Sequence, residues 1–181
     1  MKNTILYLTI LFFLAQSCVD INPIVDTQEE NLINVNHIDT KNIELAYRDT
    51  VYIPIYSDIY SKTKDVKFNL TATLSIRNTS LSDTIYIEDI DYYNSHGQMI
   101  RQYIDSALFL NPMQSIEYVI EEDDKAGGTG ANFIVNWAAN SPDLVPMFQG
   151  VMISTHGQQG ISFLTEGISI SKKRVDIKIV E

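Results

Sequence analysis

The chain has 181 residues, 13 Lys and Arg against 23 Asp and Glu, a formal net charge of −10, 45% hydrophobic residues and one cysteine. One cysteine excludes an internal disulfide framework, and the acidic balance excludes a nucleic-acid binder, which needs surplus cations to displace phosphate counterions. The length suits one domain of about 100–150 residues with extensions, and the apolar share suits a globular core rather than a multi-span membrane protein.

Residues 1–17 have the layout of a processed leader. Lys2 is the basic start, Ile5 to Leu14 is apolar, and Ala15-Gln16-Ser17 precede Cys18. About ten apolar residues fall short of the ~20 that a helix needs to cross a hydrocarbon core of ~30 Å, so the stretch matches a signal-peptide core and not a permanent span. The residues at the cut resemble the bacterial lipobox, with Leu14 and Ala15 apolar, Ser17 small and Cys18 the lipid acceptor; Gln16 is atypical there. That resemblance implies a diacylglyceryl thioether on Cys18 and an acyl chain such as palmitate on its freed amine. Three chains at about 0.8 kcal/mol per buried CH₂ make a permanent attachment, where one is marginal. Val19, rather than Asp, follows the cysteine; by the enteric sorting rule this directs the protein to the outer membrane. The expectation is an exported cell-envelope lipoprotein, tethered by lipid and not spanning the membrane.

Residues 18–48 are polar, acidic and unpatterned (Thr27-Gln28-Glu29-Glu30-Asn31, Asn34-Val35-Asn36-His37), as in a flexible tether. About 30 such residues hold a domain on the order of 30 Å from the bilayer. From residue 49 the period becomes two. Val66 to Arg77 alternates apolar and polar residues and predicts one long strand with one buried face. Further strands are predicted at Thr50–Tyr56, Thr84–Tyr93, Gln98–Ile104, Ser115–Glu121, Asn132–Ala138, Gly150–Ser154, Ile161–Leu164 and Arg174–Val180. Turn residues separate them, among them Asn94-Ser-His-Gly97, Gly127-Gly128-Thr-Gly130 and His156-Gly157. Pro54 marks its strand as an edge, because proline donates nothing to a ladder. Residues 49–181 are therefore expected to form an all-β domain, an immunoglobulin-like β-sandwich of about 7–9 strands, with a closed antiparallel barrel as the alternative.

Several segments carry a family resemblance: Val51-Tyr-Ile-Pro-Ile-Tyr-Ser-Asp-Ile-Tyr60, Thr71-Ala-Thr-Leu-Ser-Ile-Arg-Asn-Thr79, Asp91-Tyr-Tyr-Asn-Ser-His-Gly97, Glu117 to Trp137, and Met152 to Phe163. Together they resemble the bacterial family catalogued as domain of unknown function 3124, over roughly residues 50–170. The resemblance implies a β-sandwich-like envelope domain, with a lipid anchor in many members. It transfers no catalytic residue.

Two loops stand out as candidate binding elements. The first runs from Asp123 to Asn132, with Asp123, Asp124, Gly127, Gly128, Thr129, Gly130 and Asn132; the second is Ser154–Gly160, with His156, Gln158 and Gln159. Glu122, Asp123 and Asp124 offer hard oxygens for Ca²⁺, and the neighbouring glycines bend the chain, but the spacing of an EF-hand is absent. The Gly127-Gly-Thr-Gly run has no phosphate-binding lysine, and its acidic neighbours repel phosphate. A hydrolase centred on His156, with Ser154 or Ser162 as nucleophile and Asp123 or Asp124 as orienting acid, is a competing expectation with no elbow motif behind it. Zinc finds no pair of His or Cys at ligand spacing. Phe133, Val135 and Trp137 share one strand face, which predicts core packing. Asp49-Thr50-Val51, Asp83-Thr84-Ile85 and Asp105-Ser106-Ala107 resemble acceptor sites of some Gram-negative O-glycosylation systems. The expected role is a non-enzymatic binding or assembly module with an envelope protein or glycan as partner, no cofactor, and Ca²⁺ stabilisation as the alternative; no feature of the chain sets its oligomeric state.

Overall fold

The computed structural model of the protein describes residues 36–40, 43, 45–155 and 160–174. The described residues form thirteen strands: β1 (Asn36–His37), β2 (Tyr47–Ile55), β3 (Asp58–Ser61), β4 (Thr63–Asn69), β5 (Thr71–Arg77), β6 (Ile85–Tyr93), β7 (Met99–Gln102), β8 (Leu108–Leu110), β9 (Ser115–Ile120), β10 (Ala131–Ala139), β11 (Met147–Ser154), β12 (Ile161–Glu166) and β13 (Ile168–Arg174). The large sheet has the order β1-β8-β6-β10-β2-β13 with β7 also on β6; the small sheet runs β12-β11-β5-β9, and β3-β4 is a separate hairpin. All pairings are antiparallel. The protein is all-β, with neither sheet closed into a barrel, and the two facing sheets form the expected sandwich.

Alternation makes the interior. In β2 (Tyr-Arg-Asp-Thr-Val-Tyr-Ile-Pro-Ile) every second residue is buried, and β10 does the same from Ala131 to Trp137. Ile53, Ile55, Phe133 and Val135 of the large sheet meet Leu74, Ile76 and Met152 of the small sheet in one core cluster, all at 0% exposure. Fully burying such a side chain contributes about 1.5–3 kcal/mol, which explains why the period of two dictates register so firmly.

Three expectations change in detail. The predicted single strand from Val66 to Arg77 is two: β4 pairs with β3 and is mostly exposed, while β5 pairs with β11 and β9. The break falls at the fully buried Leu70, whose amide donates to the Ser57 carbonyl at 2.9 Å, so the alternation runs through a change of sheet. Pro54 does not mark an edge strand, since β2 lies between β10 and β13. However, β13 registers with β2 only from Tyr47 to Tyr52, so at Pro54 the side away from β10 has no strand partner and the missing N–H costs no ladder bond. The last strand lies at Ile168–Arg174 rather than at Arg174–Val180, of which residues 175–180 are outside the described residues. The hairpin β3-β4 and the short strands β1 and β8 raise the number above the nine anticipated.

The stretch read as tether also carries structure near its end. β1 pairs with β8 (Asn36↔Phe109, His37↔Leu108), the Ile38 amide donates to Ala107 at 2.8 Å, and Leu45 and Tyr47 are buried. Cys18, the leader and residues 19–35, 41, 42 and 44 of the tether lie outside the described residues.

Candidate functional site

The glycine loop between β9 and β10 closes one end of the sandwich. Three of its backbone polar groups bond two serines. The Gly127 carbonyl accepts from the Ser95 amide and hydroxyl, each at 3.0 Å, and Gly130 donates to the Ser95 hydroxyl at 2.8 Å. The Gly128 carbonyl accepts from the Ser57 amide at 3.1 Å, and the Ser57 and Tyr92 hydroxyls share a hydrogen bond at 2.7 Å. Gly128 sits at φ +77°, a left-handed conformation that glycine adopts without strain. Gly127 is buried against the Tyr92 hydroxyl so closely that any Cβ would overlap it.

The acidic run beside this loop is partly committed. Asp124 pairs with Arg101 through Oδ2 at 2.9 Å and accepts from the Ala126 amide at 3.1 Å through Oδ1. Hydrogen bonds to Asp124 and to the Tyr103 hydroxyl push the Arg101 pKa further up. Glu122 and Asp123 are exposed, and among the described residues no three His, Cys, Asp or Glu side chains gather as a ligand set. Thr129 is half-buried, and Asn132 lies in β10 opposite Pro54 and Tyr93. His156, Gln158 and Gln159 fall outside the described residues. Of the serines considered beside His156, Ser154 is buried with no partner for its hydroxyl among the described residues, and Ser162 is exposed. Ser162 registers with Ile153 and not with Ser154, so the two serines point to opposite faces of β11-β12. Of the Asp-Ser/Thr sites, Thr50 spends its hydroxyl on Asn136 at 2.7 Å within the sheet, whereas Ser106 lies in an exposed loop.

One carboxylate on β6 is electrostatically uncomfortable. Asp91 has a buried Oδ1 without a hydrogen-bond partner among the described residues, and burial first, then the nearby Asp89, raise its pKa. A carboxyl raised on folding makes the folded state the tighter proton binder, so stability falls as pH rises from the ordinary carboxylate range through the folded pKa. Asp91→Asn is therefore expected to raise the melting midpoint at pH 7 by on the order of 2 °C. The gain should vanish at pH 3, where both states hold the proton; calorimetry at the two pH values checks this, and an equal gain at both would sink the electrostatic account.

The opposite end of the sandwich is open. Tyr47, Asp49 and Trp137 of the large sheet, the Ser141–Pro146 connection, Phe148 and the crossing at Gly167 surround a cavity of about 380 Å³. Its polar elements come from neighbouring strands in register: Trp137 of β10 opposes Asp49 of β2, which opposes Lys172 of β13. Asp49 is 6% exposed; it accepts from the Ser169 hydroxyl at 2.7 Å through Oδ1 and from the Tyr47 hydroxyl at 3.2 Å through Oδ2. A carboxylate offers about four acceptor directions, so part of its capacity stays open. Trp137, 3% exposed, packs between Tyr47 (ring centroids 5.4 Å apart) and Phe148 (6.2 Å), while its indole N–H has no partner among the described residues. Leaving a buried donor unmet costs about 1–3 kcal/mol. Gly167 is required here, because a Cβ would come within 2.7 Å of Val51 and 2.9 Å of Phe148.

Sequence reasoning placed Trp137 correctly in the core with Phe133 and Val135, all buried. It missed the cavity. The available signal was Asp49, the one charged residue at an inward position of the Tyr47-Asp49-Val51-Ile53-Ile55 alternation.

Two packed sheets, one end sealed by a glycine loop and the other holding a small, mainly apolar pocket with a few fixed polar groups, define the class: an all-β sandwich domain. The chain belongs to the family described as "Protein of unknown function (DUF3124)", whose profile matches residues 48–170. No curated protein matches it. Among solved structures it is similar to the Thermotoga maritima protein 1070, at 15% identity and a TM-score of 0.38, over 66% of this chain and 92% of that one.

Proposed function

We propose that the protein is a lipid-anchored envelope module that binds a partner through the pocket around Asp49 and Trp137 and does not turn over a substrate. The cavity carries the binding half of this reading: about 380 Å³, bounded by the apolar Pro142, Leu144, Pro146 and Phe148 together with the charged Asp49, Glu166 and Lys172. The envelope half rests on the leader-like segment and on Cys18 after Ser17. The predicted binding loop at Asp123–Asn132 is less suited to the role, since its Gly127 and Gly128 carbonyls and its Gly130 amide are engaged by Ser57 and Ser95.

The test uses a photo-crosslinking residue placed in intact cells at Val145, 77% exposed on the pocket rim, or at Glu122 on the sealed end. One dominant adduct from position 145, absent from position 122, is expected. Adducts from neither position, or the same adducts from both, overturn the assignment of the pocket as the binding site.

A further inference from the structure

We infer that the free edge of β9 is a strand-addition site, which takes an extended, basic segment of a partner polypeptide as a further strand of the four-stranded small sheet. This surface is separate from the pocket around Asp49 and does not depend on it.

The edge is regular and unguarded. β9 ends the small sheet and holds β5 through six consecutive register pairs, Arg77↔Ser115 to Ala72↔Ile120, without a bulge. In an antiparallel ladder alternate residues turn both N–H and C=O away from the neighbouring strand, so half of β9 offers a donor and an acceptor outward. Among the described residues, no hydrogen bond from outside the β5 ladder reaches the backbone of Ser115–Ile120. The strand is also held still: Ile116 and Ile120 are buried, and the Tyr118 ring packs on Tyr103 at 5.1 Å.

Bulges, lysines and short length are the usual devices that stop a sheet edge from pairing. The other outer strands have them. β13 has a bulge between Ser169 and Ser171 and carries Lys172; β4 carries Lys64 and Lys67; β1 and β7 have two and four residues. β12 is bridged to β2 by the Thr165 hydroxyl, which donates to the Pro54 carbonyl at 2.6 Å. β9 (Ser-Ile-Glu-Tyr-Val-Ile) contains no Lys, Arg or Pro.

Charge selects the partner. Directly opposed residues of paired strands share a face about 5 Å apart. The outward face of β9 presents Glu117 and Val119, the latter 52% exposed, and the exposed Glu121, Glu122 and Asp123 follow. None of these carboxylates has an ion pair among the described residues. Arg77, which opposes Ser115, gives its Nε to Ser75 at 3.1 Å, and Lys125 is the first cation after the run. A strand with basic residues opposite Glu117 and Glu121 and an aliphatic one opposite Val119 meets both the ladder and the charge. A second β9 supplies no cation, and two chains of net charge −10 repel. A glycan or a lipid headgroup has no repeating N–H and C=O to continue a ladder.

The probe is acetyl-Lys-Val-Ile-Val-Lys-Val-Thr-amide, which in antiparallel register sets its lysines opposite Glu121 and Glu117 and its isoleucine opposite Val119. Added to the full chain in detergent, it is expected to slow hydrogen exchange saturably at the alternate β9 amides that do not bond β5, and to leave the β13 amides unchanged. The peptide with both lysines replaced by glutamate should bind about tenfold more weakly, because two attractive cross-strand pairs become repulsive. Glu117→Lys, at an exposed position, should bring the two peptides to nearly equal binding. No slowing at β9, equal slowing at β13, or equal binding of the two peptides to the unaltered chain overturns the proposal. Slowing of the β9 amides in the chain alone, growing with its concentration, assigns the edge to a second copy and overturns it as well. A crosslinker at Glu122, two residues past the end of β9, captures this partner rather than the occupant of the pocket, so its adduct differs in mass from that at position 145.

Discussion

Gly127→Ala is expected to lower the melting midpoint by about 10 °C, the largest stability effect of any single methyl added to this domain. The added carbon would overlap the Tyr92 hydroxyl and come within 2.6 Å of the Ser57 hydroxyl and 2.8 Å of the Ala131 side chain. None of these is the free end of a flexible chain. Tyr92 is fully buried, with its ring 5.0 Å from that of Phe133, and Ala131 begins β10. Relief requires either breaking the Ser57–Tyr92 hydrogen bond or lifting the loop off Ser95, and overpacking of this kind costs roughly 1–3 kcal/mol before the lost hydrogen bonds are counted. At about 2–4 °C per kcal/mol for a domain of this size, the sum reaches the stated shift. The comparison is Gly97→Ala: Gly97 also has a positive φ, +74°, but a Cβ there meets nothing within 4 Å, so only the backbone term remains, about 1 kcal/mol. Equal losses for the two variants would show that crowding at Gly127 plays no part.

Cys18→Ser is expected to move nearly all of the protein from the membrane pellet to the soluble envelope fraction and to abolish incorporation of labelled palmitate. The serine hydroxyl does not form the thioether, and without it neither the diacylglyceryl group nor the later amide-linked chain is added. Under the proposed anchor the membrane affinity then drops from that of three acyl chains to none, a change far beyond the marginal binding of one chain. Fractionation after a high-salt wash separates lipid attachment from charge-based adhesion. Retention of the variant in the washed pellet would count against the anchor. The folded domain should keep its melting midpoint, because Cys18 precedes the family-matched residues 48–170.

How far the sequence carries the structure depends on which physical signal each region contains. Alternation in β2 and β10 fixed which residues face inward, since a one-residue slip would expose a whole apolar set, whereas in β6 the phase shifts at the bulge between Ile87 and Ile90. The same signal misled at Leu70, where the periodicity continues although the chain passes from the β3-β4 hairpin into the small sheet. Burial period reports the face of a strand and is silent on its partner. The glycine loop looked like a binding element because small and acidic residues are common to open ligand loops and to tightly folded closures. Only the contacts of Ser57 and Ser95, which lie 70 and 32 residues before Gly127 in the chain, distinguish the two. The pocket was the least legible feature. It depends on Gly167 letting the chain pass from the small sheet to the large one beside Phe148, a juxtaposition of residues from β2, β10, β11 and β13 that local pattern does not encode.

The two-residue strand β1 gives the domain a mechanical character. Tension arriving from the N-terminal side meets β1 first, held by two register pairs with β8, the Ile38–Ala107 bond and the His37–Ser106 contact at 2.7 Å. Further along the chain come the buried Leu45 and then β2, gripped on both sides by β10 and β13. With two register pairs on β8 against nine between β2 and β10, β1 is expected to be the first of these strands to yield to such a pull, and the paired strands of the sandwich stay engaged after it has gone.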